Sequence, residues 1–289
     1  MSATTHTLET DGATITYDVL GELPTADGRP PLLMIGQPMT AGGFTTLASH
    51  FTDRTVVTYD PRGLGRSTRD DGRTDQDPTV QAQDLHALVE ELGARPADVF
   101  ASSGGAVTAL AWVTAHPQDI ATLVAHEPPM IQVLPDADMA DRAFRSVQDA
   151  YQEKGWGAGM AQFVSMTMWQ GEITDEFLAR PSADPAQFGM PTQDDGSRDD
   201  PLLSGAGDAV SGYRPDFEAI RAAPTRVVIA VGVESQGTFT DRTSRATAQA
   251  LGQEVTVFPS HHGGFLGGEF GQRGKPEAFA ARLHEVLDH

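Results

Sequence analysis

The chain has 289 residues, 39% hydrophobic and 21% charged, enough for one large domain, or one domain with an insertion, around a full apolar core. Its 40 acidic and 20 basic residues give a formal net charge of −20, which repels phosphate backbones and argues against a nucleic-acid ligand. Cysteine is absent, excluding disulfides and thiol chemistry; the apolar runs are too short to span a bilayer, and the opening MSATTHTLETDG has no basic or apolar leader region, so a cytoplasmic protein away from membranes is expected.

Residues 5–20 alternate polar and apolar around Asp11-Gly12, which predicts a hairpin. PPLLMIG (30–36) and RTVVTYD (54–60) are continuous apolar runs, the mark of strands buried on both faces. VQAQDLHALVEELG (80–93) has helical spacing and stops at Gly93. DVFAS (98–102) predicts a strand, GAVTALAWVTAHP (105–117) a helix ending at Pro117, and IATLVAHE (120–127) another strand. The rhythm then breaks. Residues 130 to about 215 hold helical stretches rich in Met, Phe and Trp, followed by a polar Pro/Gly-rich tract. TRVVIAVG (225–232) and EVTVF (254–258) resume the strands, with helices over 242–252 and 276–289. The alternation predicts an α/β fold with a mostly parallel sheet covered by helices on both faces. The expected division is a core of 1–130 and 215–289 and an inserted helical cap of 131–214. Within the insertion, DDGSRDD (194–200) lacks the regular ligand spacing of a calcium loop and reads as solvated, so no metal is expected there.

The most informative turn is Ala101-Ser102-Ser103-Gly104-Gly105, between a buried strand and a buried helix. A sharp turn needs small residues two before and two after its apex, and Ala101 and Gly105 occupy those places around Ser103. A residue at such an apex is strained and projects from the carboxyl end of the sheet. The Gly104 N–H faces the same space at a helix N-terminus, where a developing negative charge is favoured.

This turn resembles the nucleophile elbow of the α/β-hydrolase family, G-x-S-x-G, with Ala101 in place of the first glycine. Gly36-Gln37-Pro38-Met39 resembles the family's H-G-x-P loop, with Ile35 where histidine often stands. The resemblance makes the Gln37 N–H a second oxyanion donor, with Met39 as the alternative if the register shifts by one; Pro38 has no N–H to give. YDPRGLGRS (59–67) also matches the family, with Asp60 and Arg62 tying loops together. Gly63-Leu64-Gly65 lacks the third glycine and the following helix of a dinucleotide loop, so no cofactor is expected.

A serine needs a base, and the loop after the last strand supplies His261 and His262. His262, followed by Gly263-Gly264, fits the family's pattern better. The resemblance leaves the acid open. Glu234 lies one position before the commonest place for it, whereas Glu127, stiffened by Pro128 and Pro129, matches members that draw their acid from the strand at 120–127, including lactonases resembling the zearalenone-hydrolysing enzymes. Either order, serine then acid then histidine, suits the family. The implied activity is hydrolysis of a small to medium apolar ester or lactone through an acyl-enzyme. Trp156, Phe163, Met166 and Trp169 are candidates for an apolar substrate wall. A non-hydrolytic enzyme on the same scaffold (a cofactor-free cyclase, lyase or oxygenase) and a small-molecule receptor remain open alternatives. The oligomeric state is not legible.

Overall fold

The computed structural model describes residues 3–25 and 28–289. Met1, Ser2, Ala26 and Asp27 lie outside them, and with them the first two positions of the stretch read above for a leader. The hairpin forms as expected: β1 (Ala3–Thr10) and β2 (Ala13–Leu20) pair antiparallel across Asp11-Gly12. Next come β3 (Leu32–Gln37), α1 (Thr45–Ser49), β4 (Val56–Tyr59), β5 (Thr68–Arg69) and α2 (Pro78–Glu91). Asp77 caps α2 by accepting from the Thr79 N–H, and Pro78 fills its first turn. β6 (Ala97–Ser103), α3 (Gly104–Ala115) and β7 (Ile120–His126) follow.

Between β7 and the next strand the described residues are helical or irregular: α4 (Ala137–Lys154), α5 (Trp156–Thr167), α6 (Asp175–Leu178), α7 (Asp208–Ser211) and α8 (Phe217–Ala222). The chain ends through β8 (Arg226–Gly232), α9 (Phe239–Ala250), β9 (Thr256–Phe258) and α10 (Pro276–Leu287). Two boundaries differ from the sequence reading. The last strand is shorter than 254–258, and α9 starts before Arg242, with Asp241 in its first turn favouring that helix end.

Among the described residues the sheet has nine strands, in the order β1-β2-β4-β3-β6-β7-β8-β9 with β5 pairing β2. From β3 to β9 neighbours run parallel, and β2 joins β4 antiparallel. Alternate residues feed two apolar layers. Leu33, Ile35, Val99, Ala101, Leu123 and Ala125 face one layer, which includes α2 and α3. Leu32, Met34, Phe100 and Val124 face the other, with α1 and α10. Each fully buried Phe or Leu in these layers contributes about 2–3 kcal/mol. α3 is apolar all round, with every residue from Gly104 to Val113 buried, which is why it lies centrally rather than at a surface. A third cluster joins Ala140, Ala143, Val147, Tyr151, Met166 and Leu203 of the inserted segment, and Phe239 of α9 docks into it.

The order of strands fixes where a site can form. After β3 the chain crosses to β4 on one side, and after β6 it crosses to β7 on the other. The loops leaving β3 and β6 therefore diverge and open a crevice at their carboxyl ends, the topological switch point where α/β sheets bind ligands. Gln37 ends β3 directly opposite Ser103, which ends β6.

Candidate active site

Ser103 is the junction of β6 and α3, with φ 56° and ψ −128°. This left-handed backbone costs a non-glycine residue on the order of 1–3 kcal/mol. The turn is held in place by close packing behind it. A Cβ on Gly105 would stand 2.7 Å from the Gly36 Cα and the Ile35 carbonyl oxygen, so only glycine lets α3 approach β3 this closely. Gly104, at the first position of α3, presents its N–H at the positive end of the helix.

Glu127 follows β7 with φ 51°, a second strained non-glycine residue at the carboxyl rim. It is fully buried, and its carboxylate is well supplied with donors. Oε1 accepts from the Gly232 N–H at 2.9 Å. Oε2 accepts from Thr240 Oγ1 at 2.6 Å and lies 2.6 Å from His262 Nδ1. Burial alone pushes the Glu127 pKa up, but the hydrogen bond and charge of His262 outweigh it and hold the carboxyl well below its usual range. The contact fixes the ring so that Nδ1 faces Oε2 and leaves Nε2 outside the pair. The His262 side chain is 44% exposed. Among the described residues no hydrogen bond joins Ser103 to His262 or His261.

The loop carrying His262 is shaped by its neighbours. Ser260 has φ 70°, and a Cβ on Gly232 would meet the Ser260 carbonyl oxygen at 2.7 Å, so β8 must end in glycine for the loop to pass. His261 bends back on its own loop, its Nδ1 accepting from the Gly263 N–H at 3.1 Å. Glu234, the other candidate acid, pairs instead with Lys275 Nζ at 2.6 Å on the surface. That hydrogen bond holds its carboxyl below the ordinary value.

His126, which sequence reasoning passed over, lies beneath this pair. It is fully buried among Phe100, Phe258, Phe265 and Phe279. Its ring lies 6.1 Å from that of His262, and its Nε2, 4.0 Å from Glu127 Oε1, has no hydrogen-bond partner. Burial lowers its pKa to about 4, so the imidazole is neutral near neutral pH. The run His126-Glu127 at a strand end was the one signal for it in the sequence. Thr240 and the Gly232 N–H carried no such signal.

The remaining candidates fall as follows. Met39 stands past Pro38 with its side chain against Gly36 and Gly43. Met166 is fully buried in the third cluster, and Trp156 and Phe163 pack beside it. Trp156 Nε1 donates to Asp200, and Phe163 lies edge-on to Phe144. Trp169 donates to the Glu172 carbonyl and meets Phe177 and Arg180. All four thus take part in packing the inserted segment. Asp60 does tie loops, accepting from the N–H groups of Ala41 and Arg66, and Arg62 forks onto Asp84. Asp194, Asp195 and Asp200 are occupied by donors of their own loop and by Trp156. His86, His116 and Asp119 lie close enough for a metal. However, the two rings stack face to face at 3.7 Å and 7°, so their lone pairs run parallel rather than converging on an ion, and Asp119 already accepts from Trp112.

A parallel sheet with this switch point, a strained serine turn and a buried acid–histidine pair define an α/β-hydrolase architecture, and the comparisons agree. The model of the alpha/beta hydrolase fold matches residues 30–265; the chain belongs to this family. An uncharacterized hydrolase, YraK, of Bacillus subtilis (strain 168) is 27% identical over 100% of this chain and 97% of its own. A zearalenone hydrolase of Cladophialophora bantiana is 31% identical over 52% of this chain and 60% of its own length. Among solved structures, an esterase (EaEST) from Exiguobacterium antarcticum superposes with a TM-score of 0.66 at 17% identity, covering 96% of this chain and 97% of that one. Among the described residues no helix is long and apolar enough to cross a membrane.

Proposed function

We propose that the protein is a serine hydrolase of small to medium apolar carboxylic esters or lactones, with Ser103 as nucleophile, His262 as base and Glu127 as the acid that orients it. The observation that carries the reading is the Glu127–His262 pair: a fully buried carboxylate 2.6 Å from Nδ1 of a half-exposed imidazole. Gly232 and Thr240 donate to the same carboxylate and hold it in place for that contact.

In this mechanism His262 Nε2 takes the Ser103 proton as Oγ attacks the carbonyl carbon. The N–H groups of Gly104 and Gln37 receive the developing oxyanion. His262 returns the proton to the leaving oxygen as the carbon–oxygen bond breaks, leaving an acyl-enzyme. Water then attacks the acyl carbon, gives its proton to His262, and Ser103 departs with that proton restored. Residues 131–214 act as a cap over the crevice and supply its apolar wall. The choice of lactone beside ester rests on Glu127 at the end of β7, and the relative named zearalenone hydrolase agrees with it.

A fluorophosphonate probe and a panel of p-nitrophenyl esters and lactones test this. The parent protein is expected to take one label and to hydrolyse part of the panel. Ser103→Ala is expected to take none and to lose kcat by about a thousandfold or more. A parent protein that neither labels nor hydrolyses any member would point instead to a non-hydrolytic member of the fold.

A further inference from the structure

We propose that the side-chain carboxamide of Gln37 selects the substrate: its Oε1 accepts a hydrogen bond from a hydroxyl or N–H on the acyl part, on the carbon next to the carbonyl or the one beyond. This rests on the serine-hydrolase reading above and gives it a substrate class, esters or lactones of hydroxy or acylamino acids.

Gln37 is only 4% exposed, and its Oε1 has no hydrogen-bond partner. An amide oxygen withdrawn from water without a donor is destabilising, and buried polar atoms in folded proteins are almost always paired. A methionine or leucine would fill the same space without that loss, so packing does not account for a glutamine here.

Its place gives the reason. Gln37 lies at the switch point, opposite Ser103 across β3 and β6. Its side chain begins over the residue after the nucleophile, since a Cβ built on Gly104 would stand 2.9 Å from Gln37 Cβ and 3.1 Å from Cγ. The same residue's N–H is the proposed oxyanion donor. A glutamine side chain reaches only a few bonds from its own nitrogen, so Oε1 can meet only groups close to the bound carbonyl. A carboxamide oxygen is a neutral acceptor; it calls for an O–H or N–H and offers nothing to a methyl, an ether oxygen or a carboxylate. A site built around a buried acceptor rejects analogues lacking the donor, because the acceptor is then left unpaired in the transition state.

The test uses two matched pairs: phenyl 2-hydroxypropanoate with phenyl 2-methylpropanoate, and phenyl 3-hydroxybutanoate with phenyl 3-methylbutanoate. In each pair a methyl replaces the hydroxyl. The parent protein is expected to favour the hydroxy ester of at least one pair by about a hundredfold or more in kcat/KM. Gln37→Met and Gln37→Leu keep the backbone N–H and are expected to bring that ratio below about tenfold. Because each ratio is taken within one enzyme, a general loss of rate cancels, and phosphonate labelling reports whether each variant is folded. Should neither fold, the parent ratios decide alone. Ratios near one in both pairs for the parent, or a hydroxy preference unchanged in both variants, would overturn the proposal. Labelling of Ser103 with equal rates across each pair removes this inference alone. Absence of both label and hydrolysis removes the serine-hydrolase reading, and this one with it.

Discussion

Glu127 and Glu234 look alike in the sequence, each an acidic residue just past a strand, and spacing leaves the proposed acid open between them for that reason. What separates them is the backbone. Glu127 turns left-handed and inward, where donors 105 and 113 residues away converge on its carboxylate; no local pattern announces such partners. Glu234 turns out to Lys275. Glu127→Gln should therefore lower kcat about 10³–10⁴-fold, while Glu234→Gln stays within a few-fold of the parent. Similar modest losses in both would sink the assignment. His126 gives a separate prediction. Its folded pKa of about 4 lies below the ordinary histidine value, so between roughly pH 4 and 6.5 the unfolded chain binds a proton that the folded one refuses. Stability should fall as pH drops through that window, by at most about 3 kcal/mol from this residue. His126→Phe should flatten the slope of Tm between pH 4.5 and 7; an unchanged slope would show that other groups set it.

At the scale of elements, the parallel strands were legible because strands buried on both faces leave continuous apolar runs, and the serine turn because small residues flank it; the two-residue β5 and the short α1 left no such signal. The inserted helices were legible as helices, but not in what their aromatic residues do. Side chains that pack α4 against α5 and side chains that would line a crevice have the same chemistry, and only the fold shows Met166 and Tyr151 in one buried cluster. The β6–α3 junction yields a test of packing. The atoms nearest a Cβ on Gly105 are backbone atoms of β3, 2.7 Å away, so they cannot swing aside as a side chain would. Gly105→Ala should destabilise the fold by about 1–3 kcal/mol and disturb Ser103 with it. Urea denaturation followed by circular dichroism would read the loss, and an unchanged midpoint would show that α3 is free to shift.

Over the whole molecule, charge is the dominant surface property. The net charge of −20 is the excess of acidic residues left after every Lys and Arg is counted, so compaction brings like charges together. Raising sodium chloride from about 0.01 M to 0.15 M shortens the screening length from roughly 30 Å to 8 Å. Repulsion should weaken more than the attraction of the ion pairs, and Tm should rise by a few degrees, on the order of 1 kcal/mol for a chain of this size. A Tm that falls with salt would mean the ion pairs dominate. The inserted segment is tied to the core at named points: Asp136 to Arg242 on α9, the Gly171 N–H to the Gly237 carbonyl at 2.9 Å, and Phe239 in the shared cluster. Neither these ties nor the placing of the switch point could be read from spacing alone, since both depend on which strands become neighbours.

The convergence of Gly232, Thr240 and His262 on one carboxylate has an evolutionary corollary. β8, α9 and the loop after β9 all dock on the same two oxygen atoms, so a homologue could exchange Ser103 without disturbing them, whereas losing the carboxylate would leave the Gly232 N–H and the Thr240 hydroxyl without their acceptor. An acidic residue at this strand end in a distant relative is therefore a mark of shared architecture before it is a mark of shared chemistry.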